Sequence, residues 1–247
     1  MVLVNSDVRM KYDEVVSKKY KNDYINALES FESIAEKIIR PLFTEYLERL
    51  GKPKRSIDQS WRKRKGDLYE YAVIQALKNI IEQDEKLKNK LQVLGKWEIK
   101  QSIKDKIAIR NWSKIYPDVD ILILDTRENK VITIISCKTS LRERLTETAY
   151  WKYELMKHEN TKNVKVIFVT TDKDEELHKD VNRYIAMHVI DCTFITDPKK
   201  YLKLMKCYKK MYSSKDKFNI IKEKIRPFRE IIIYLSNIVK WHEESIR

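Results

Sequence analysis

Hydrophobic positions along the chain change period twice, and those changes divide it into elements. From residue 9 to 50 apolar residues recur at spacings of three and four, as in "YINALESFESIAEKIIRPLFTEYLERL", which predicts helix with Pro41 dividing it in two. Residues 51–65, "GKPKRSIDQSWRKRK", predict a basic connector. Residues 66–83 return to a helical period, with Leu68, Tyr71, Ile74, Leu77 and Ile80 among the apolar positions. The pattern then turns to β. "LQVLGKWEIK" (91–100) has strand character, and the β-branched runs "VDILILD" (119–125) and "KVITIISCK" (130–138), joined by "TREN", predict a hairpin. Helix is predicted over 142–157, a continuously apolar and therefore doubly covered strand over 163–172, helix over 175–186, and a strand over 187–197. Residues 198–246 predict two or more helices with lysines on their outer faces.

Helices on both sides of a strand-rich middle predict an α/β fold, a mixed β-sheet core flanked by helices with added N- and C-terminal helices. The expected organisation is an N-terminal helical region (1–60), a core (61–197) and a C-terminal helical region (198–247) in one compact domain, the terminal helices being candidates for a dimerisation layer. There is no internal repeat or low-complexity linker.

Composition narrows the function. Lys and Arg number 51 against 37 Asp and Glu, a formal net charge of +14. That balance points to a polyanionic partner, nucleic acid or an anionic membrane. No apolar run is long enough for a bilayer and no signal-peptide pattern opens the chain, so a cytoplasmic protein is expected. Three glycines exclude a Gly-rich phosphate loop, and Cys137, Cys192 and Cys207 lack zinc spacing and read as buried thiols. His158, His178, His188 and His242 show no ligand spacing.

The chemistry gathers at the hairpin. Asp118 opens one strand and Lys138 closes its partner, and a short hairpin brings those ends together. Metal-assisted phosphodiester cleavage needs hard oxygen ligands and a charge near the attacking water. Asp118 can ligate Mg²⁺, Lys138 can orient and help deprotonate water, and the Cys137 carbonyl can add a ligand. Asp120 points to the same strand face as Asp118 and is a spare candidate. Arg142, Glu143 and Arg144 open the next helix. Arginine can bond guanine O6 and N7, and glutamate can accept from cytosine N4. Blander readings stand beside these: Ser140-Leu-Arg-Glu143 is also a capping-box pattern, and the arginines could contact phosphates. Arg64 and Lys65, in the basic run "WRKRK", would track phosphates near a DNA groove.

"PD" at 117–118 followed by "SCK" at 136–138 resembles the PD-(D/E)xK nuclease superfamily. Ser136 stands where an acidic residue is usual. In this the chain is similar to the EcoRII-, NgoMIV- and BsaWI-like type II restriction endonucleases, which draw the second carboxylate from a neighbouring helix. The resemblance covers roughly residues 60–155. It extends to "KTSLRER" (138–144), a catalytic lysine followed closely by a basic–acidic–basic triplet. "RKGDLYE" resembles the segment that carries a helix glutamate in such enzymes and makes Glu70 the first choice for the missing ligand, with Glu147 and Glu154 as alternatives. The downstream glutamate of the EcoRII-like pattern falls here on Trp151. The resemblance implies a homodimer that binds double-stranded DNA and makes Mg²⁺-dependent double-strand cuts at a short palindromic, C·G-rich site. Two other functions compete with it: a structure-selective repair or junction nuclease of the same superfamily, and a DNA-binding module without catalysis.

Overall fold

The computed structural model describes residues 5–110, 112–141, 143–212 and 214–246. The chain forms two compact units, Met1–Asn79 and Ile80–Arg247.

The N-terminal unit is helical. Helix α1 (Asn5–Tyr20) stops where Lys21 and Asn22 take positive φ, a break the apolar spacing did not announce. Asp23 then caps α2 (Tyr24–Glu29) by accepting from the Asn26 amide at 2.9 Å. After α3 (Phe31–Ile34) comes a π-helical turn, Ala35–Ile39, and then α4 (Arg40–Arg49). Pro41 therefore does not separate two helices. It lacks an N–H and crowds the preceding turn, and the wider π turn absorbs that defect within a continuing helical path. The expected connector 51–65 is instead mostly helix: α5 runs Lys54–Gln83, because beyond Pro53 the run is rich in the good helix formers Lys, Arg and Gln and has no further proline. Phe31 packs edge to face on Tyr69 and lies tilted against Tyr12 in the core, and Asp13 accepts from the hydroxyls of Tyr24 (3.1 Å) and Tyr71 (2.6 Å).

The C-terminal unit is built on a six-stranded mixed sheet, ordered β1-β4-β5-β6-β7-β8. Strand β1 (Leu91–Gly95) is shorter than predicted and is followed by α6 (Gln101–Lys104) and a small hairpin, β2 (Ile109–Arg110) with β3 (Lys114–Ile115), which the pattern did not predict. The predicted hairpin is present as β4 (Ile121–Asp125) antiparallel to β5 (Lys130–Lys138), with a register shift at Ile123/Leu124. Parallel pairing then carries the sheet from β5 to β6 (Lys165–Thr170), β7 (Cys192–Ile195) and β8 (Ile225–Pro227). The crossovers are α7 (Arg144–Met156), α8 (Asp180–His188), and α9 (Pro198–Met211) with α10 (Lys215–Lys224). Helix α11 (Ile231–Ile246) follows and packs Tyr234 edge to face on Phe194 at 5.6 Å.

Two buried clusters hold the α7 side. Leu122, Leu124, Ile134 and Val166 of the sheet meet Leu155 of α7. Leu141 and Leu145 pack with Phe168, Ile195 and helices α8 to α10. Strand β8 shows that the C-terminal region is not only helical, since three of its residues extend the sheet edge. Among the described residues no helix is long and apolar enough to cross a membrane.

Candidate active site at the β4–β5 strand ends

The site lies where β4 starts and β5 ends. Lys138 is the last residue of β5, and its Nζ donates to Asp120 Oδ2 at 2.8 Å. The Cys137 amide donates to the same oxygen at 2.7 Å. The Asp120 side chain is 3% exposed and that of Lys138 is 21% exposed, so the carboxylate is enclosed while the ammonium reaches the surface.

Register explains the pairing. Ile121 lies opposite Ile135, so one step further Asp120 lies opposite Ser136, with Lys138 diagonal to it on the same face. Asp118 would face Lys138 only if β4 continued upstream, and it does not. Its carboxylate is 45% exposed and lies 3.6 Å from Lys96 Nζ. The structure thus brings Asp120 to Lys138 and leaves Asp118 one strand step away, paired with another lysine. Alternation along the strand was the available signal, because it places Asp118 and Asp120 on one face; where pairing stops decides between them.

The other expected residues fall in distinct settings. Cys137 has a buried thiol and an amide committed to Asp120. Glu143 and Arg144 are exposed, and Arg144 reaches Glu147 at 3.1 Å. Glu143 stands at the N-cap of α7 with helical backbone angles and no side-chain capping bond, so the capping-box reading is not realised. The helix begins too late for it. Arg142 lies outside the described residues. Glu154 bonds Lys157 at 2.6 Å. Glu70, Arg64 and Lys65 stand on α5 in the N-terminal unit, with Glu70 and Arg64 half-buried. Lys65 is 5% exposed and bonds Glu32 (2.6 Å) and Glu36 (2.8 Å), so it is an internal ion-pair residue rather than a surface cation available to phosphates.

At the strand ends the available donors are a carboxylate and backbone oxygen, hard ligands that suit Mg²⁺ better than a soft metal. Among the described residues no group of three or more His, Cys, Asp and Glu side chains is gathered around one point.

A family model described as BsaWI restriction endonuclease type 2 matches residues 98–220, which include Asp118, Asp120, Lys138 and the 142–144 triplet but not Glu70. MjaVIP of Methanocaldococcus jannaschii, named as a type II restriction enzyme, is 31% identical over 159 residues, covering 59% of this chain and 69% of that protein. HpyAORF263P of Helicobacter pylori, named likewise, is 42% identical over 64 residues, which are 26% of this chain and 33% of that one. The solved complex of restriction endonuclease PspGI with substrate DNA superposes with a TM-score of 0.64 over 96% of this chain and 93% of that chain, at 16% identity, a likeness of fold. With MjaVIP matched at 31% identity over 69% of its length, the chain belongs to the type II restriction endonuclease family.

Proposed function

We propose that the protein binds double-stranded DNA as a homodimer and makes Mg²⁺-dependent double-strand cuts at a short palindromic, C·G-rich site. The observation that carries this reading is the Asp120–Lys138 pair at the strand ends, a buried carboxylate beside a lysine that reaches solvent. Asp120 Oδ1, the oxygen not bonded to Lys138 or Cys137, is the oxygen it offers to a cation, with the Cys137 carbonyl and Asp118 as further donors. A second carboxylate comes from Glu70, Glu147 or Glu154. Held by these oxygens, a divalent metal would supply positive charge next to the scissile phosphate and the attacking water. Lys138, held as an ammonium by Asp120, orients the attacking water by donating to it, and its charge favours the hydroxide left when that water gives its proton to bulk solvent. The bond to Asp120 fixes the ammonium against the strand end, so little ordering remains to be done when substrate arrives.

Specificity is assigned to the start of α7. Arg144 and Glu143 are exposed, and the Arg144–Glu147 pair is a surface pair worth about 0–1 kcal/mol, which a guanine edge can displace. Arg142 completes the basic–acidic–basic triplet that supports a C·G-rich site. Two copies related by a two-fold axis match the symmetry of a palindrome.

The test is digestion of unmethylated plasmid and phage DNA with Mg²⁺ or with EDTA, followed by sequencing of fragment ends. Discrete Mg²⁺-dependent fragments are expected. Asp120→Ala and Lys138→Ala should each slow scission by about a hundred- to a thousandfold, with Asp118→Ala run beside them. A loss confined to Asp118→Ala would return the metal to Asp118, and cutting that survives all three changes would remove the site from the reaction. Scission of branched DNA alone would make the enzyme structure-selective.

A further inference from the structure

Between α6 and the Asp118–Asp120 segment the chain forms the β2–β3 hairpin. Its foot is firmly held. Ile107 and Ile109 are buried in the cluster under β4 and β5. Asp105 accepts from Lys114 Nζ (2.5 Å), the Tyr116 hydroxyl (2.8 Å) and Gln101 Nε2 (3.0 Å). These bonds, with Lys114 foremost, hold the Asp105 carboxyl at about 2, so the clasp is ionised at neutral pH.

Its tip is the opposite. Trp112 is 100% exposed, whereas Trp61 is 2% exposed and packs against Phe43. Arg110 and Lys114 are cross-strand partners, so two cations flank the turn that carries the indole. Like charges placed directly opposite each other are unfavourable without an anion nearby. Lys114 has Asp105, while among the described residues Arg110 has no ion-pair partner. Ile115, 44% exposed, adds apolar surface to the same hairpin. Six residues after Lys114 the chain reaches Asp120, so the hairpin is tethered closely to the cleavage site.

We propose that this hairpin is a DNA-engaging finger, in which Trp112 stacks on or wedges against a nucleobase of the bound duplex while Arg110 holds an adjacent phosphate. A rigidly footed turn ending in a bare indole beside an unpaired guanidinium has the chemistry that recognises nucleic acid: an aromatic face for any base and a cation for the backbone. Stacking covers apolar surface that the folded protein leaves in water, and the anchored foot lowers the ordering cost of the contact. The inference rests on the DNA-cleaving reading and adds a residue to it.

The experiment uses full-length protein and a 25-base-pair duplex carrying the site found by fragment sequencing, in EDTA to prevent cutting. Binding is followed by anisotropy of a labelled duplex and by tryptophan fluorescence. W112A should bind roughly ten- to a hundredfold more weakly, and W112F should recover most of that loss. DNA should quench the wild type strongly, W112F weakly, and the W241F control as strongly as the wild type. Wild-type affinity in W112A, or undiminished quenching in W112F, overturns the finger even if the enzyme cuts normally. An unchanged DNA affinity with lost self-association in sedimentation also overturns it, by making the indole a protein contact. If the wild type neither cuts nor binds any duplex, the DNA-cleaving reading fails and the finger fails with it.

Discussion

At the scale of single residues, burial sorts charges that look alike in sequence. Lys65 lies in the run "WRKRK" and reads as a phosphate-tracking cation, but it is enclosed with Glu32 and Glu36. Burial pushes the Glu36 carboxyl up, and bonds from Lys65, Arg40 and Trp61 overcome that and hold it at about 2. Since this folded value lies below the ordinary 4.5, the pair stabilises fully above about 4.5 and loses its contribution as pH falls toward 2. Lys65→Met removes the cation that Glu32 and Glu36 share, while Glu36 keeps Arg40 at 2.8 Å. It should lower stability by about 2–4 kcal/mol in urea unfolding at pH 7, and the deficit should shrink as pH falls through that window. Lys65→Met as stable as the wild type at pH 7 would show that the pair contributes nothing. The local sequence offers no signal for this burial, because the partners lie 29 and 33 residues away on an earlier helical stretch. Asp118 and Asp120 differ for a related reason: alternation shows that they share a face, but only cross-strand register sets Asp120 against Lys138.

Among the elements, the long periodic segments were legible and the breaks were not. The β4–β5 hairpin and the β6 strand follow directly from their apolar runs, since a sheet covered on both faces needs apolar side chains on both. The short β2–β3 hairpin and β8, of two or three residues per strand, have no room for a period and exist because neighbours offer pairing edges. The exit of β6 shows another such local device. Asp172 adopts a left-handed backbone, φ 47°, and accepts from the amides of Glu176 (2.9 Å) and Leu177 (3.4 Å). Burial raises its carboxyl to about 6 despite those bonds. With the folded value above the ordinary 3.8, stability is greatest below about 3.8 and declines as pH rises through about 6. Asp172→Asn keeps an accepting oxygen and removes the charge. At pH 8 it should gain stability, up to roughly 3 kcal/mol, and at pH 4 it should match the wild type. A loss at pH 8 in calorimetry would mean that the carboxylate's amide bonds outweigh its burial.

For the molecule as a whole, the +14 charge is the dominant property. Binding to duplex DNA should therefore release counterions, and affinity should fall by at least about tenfold between roughly 50 and 200 mM salt. Filter binding or anisotropy across that range measures the slope, and a flat response would deny phosphate neutralisation any share in binding. The same charge says little about where DNA lies, because lysines are distributed over both units and some are spent internally, as Lys65 and Lys152 are.

The sequence by itself determined the fold class, the hairpin whose ends bear the acidic residues and the lysine, and the basic character of the whole. These are written in local period and composition, which depend on neighbours in the chain. Tertiary structure alone decided which aspartate meets Lys138, which lysine is buried, that 54–65 continues a helix, and that Trp112 ends an anchored turn in open solvent. Those outcomes depend on register, strand length and burial, which arise only when residues distant in sequence compete for the same space.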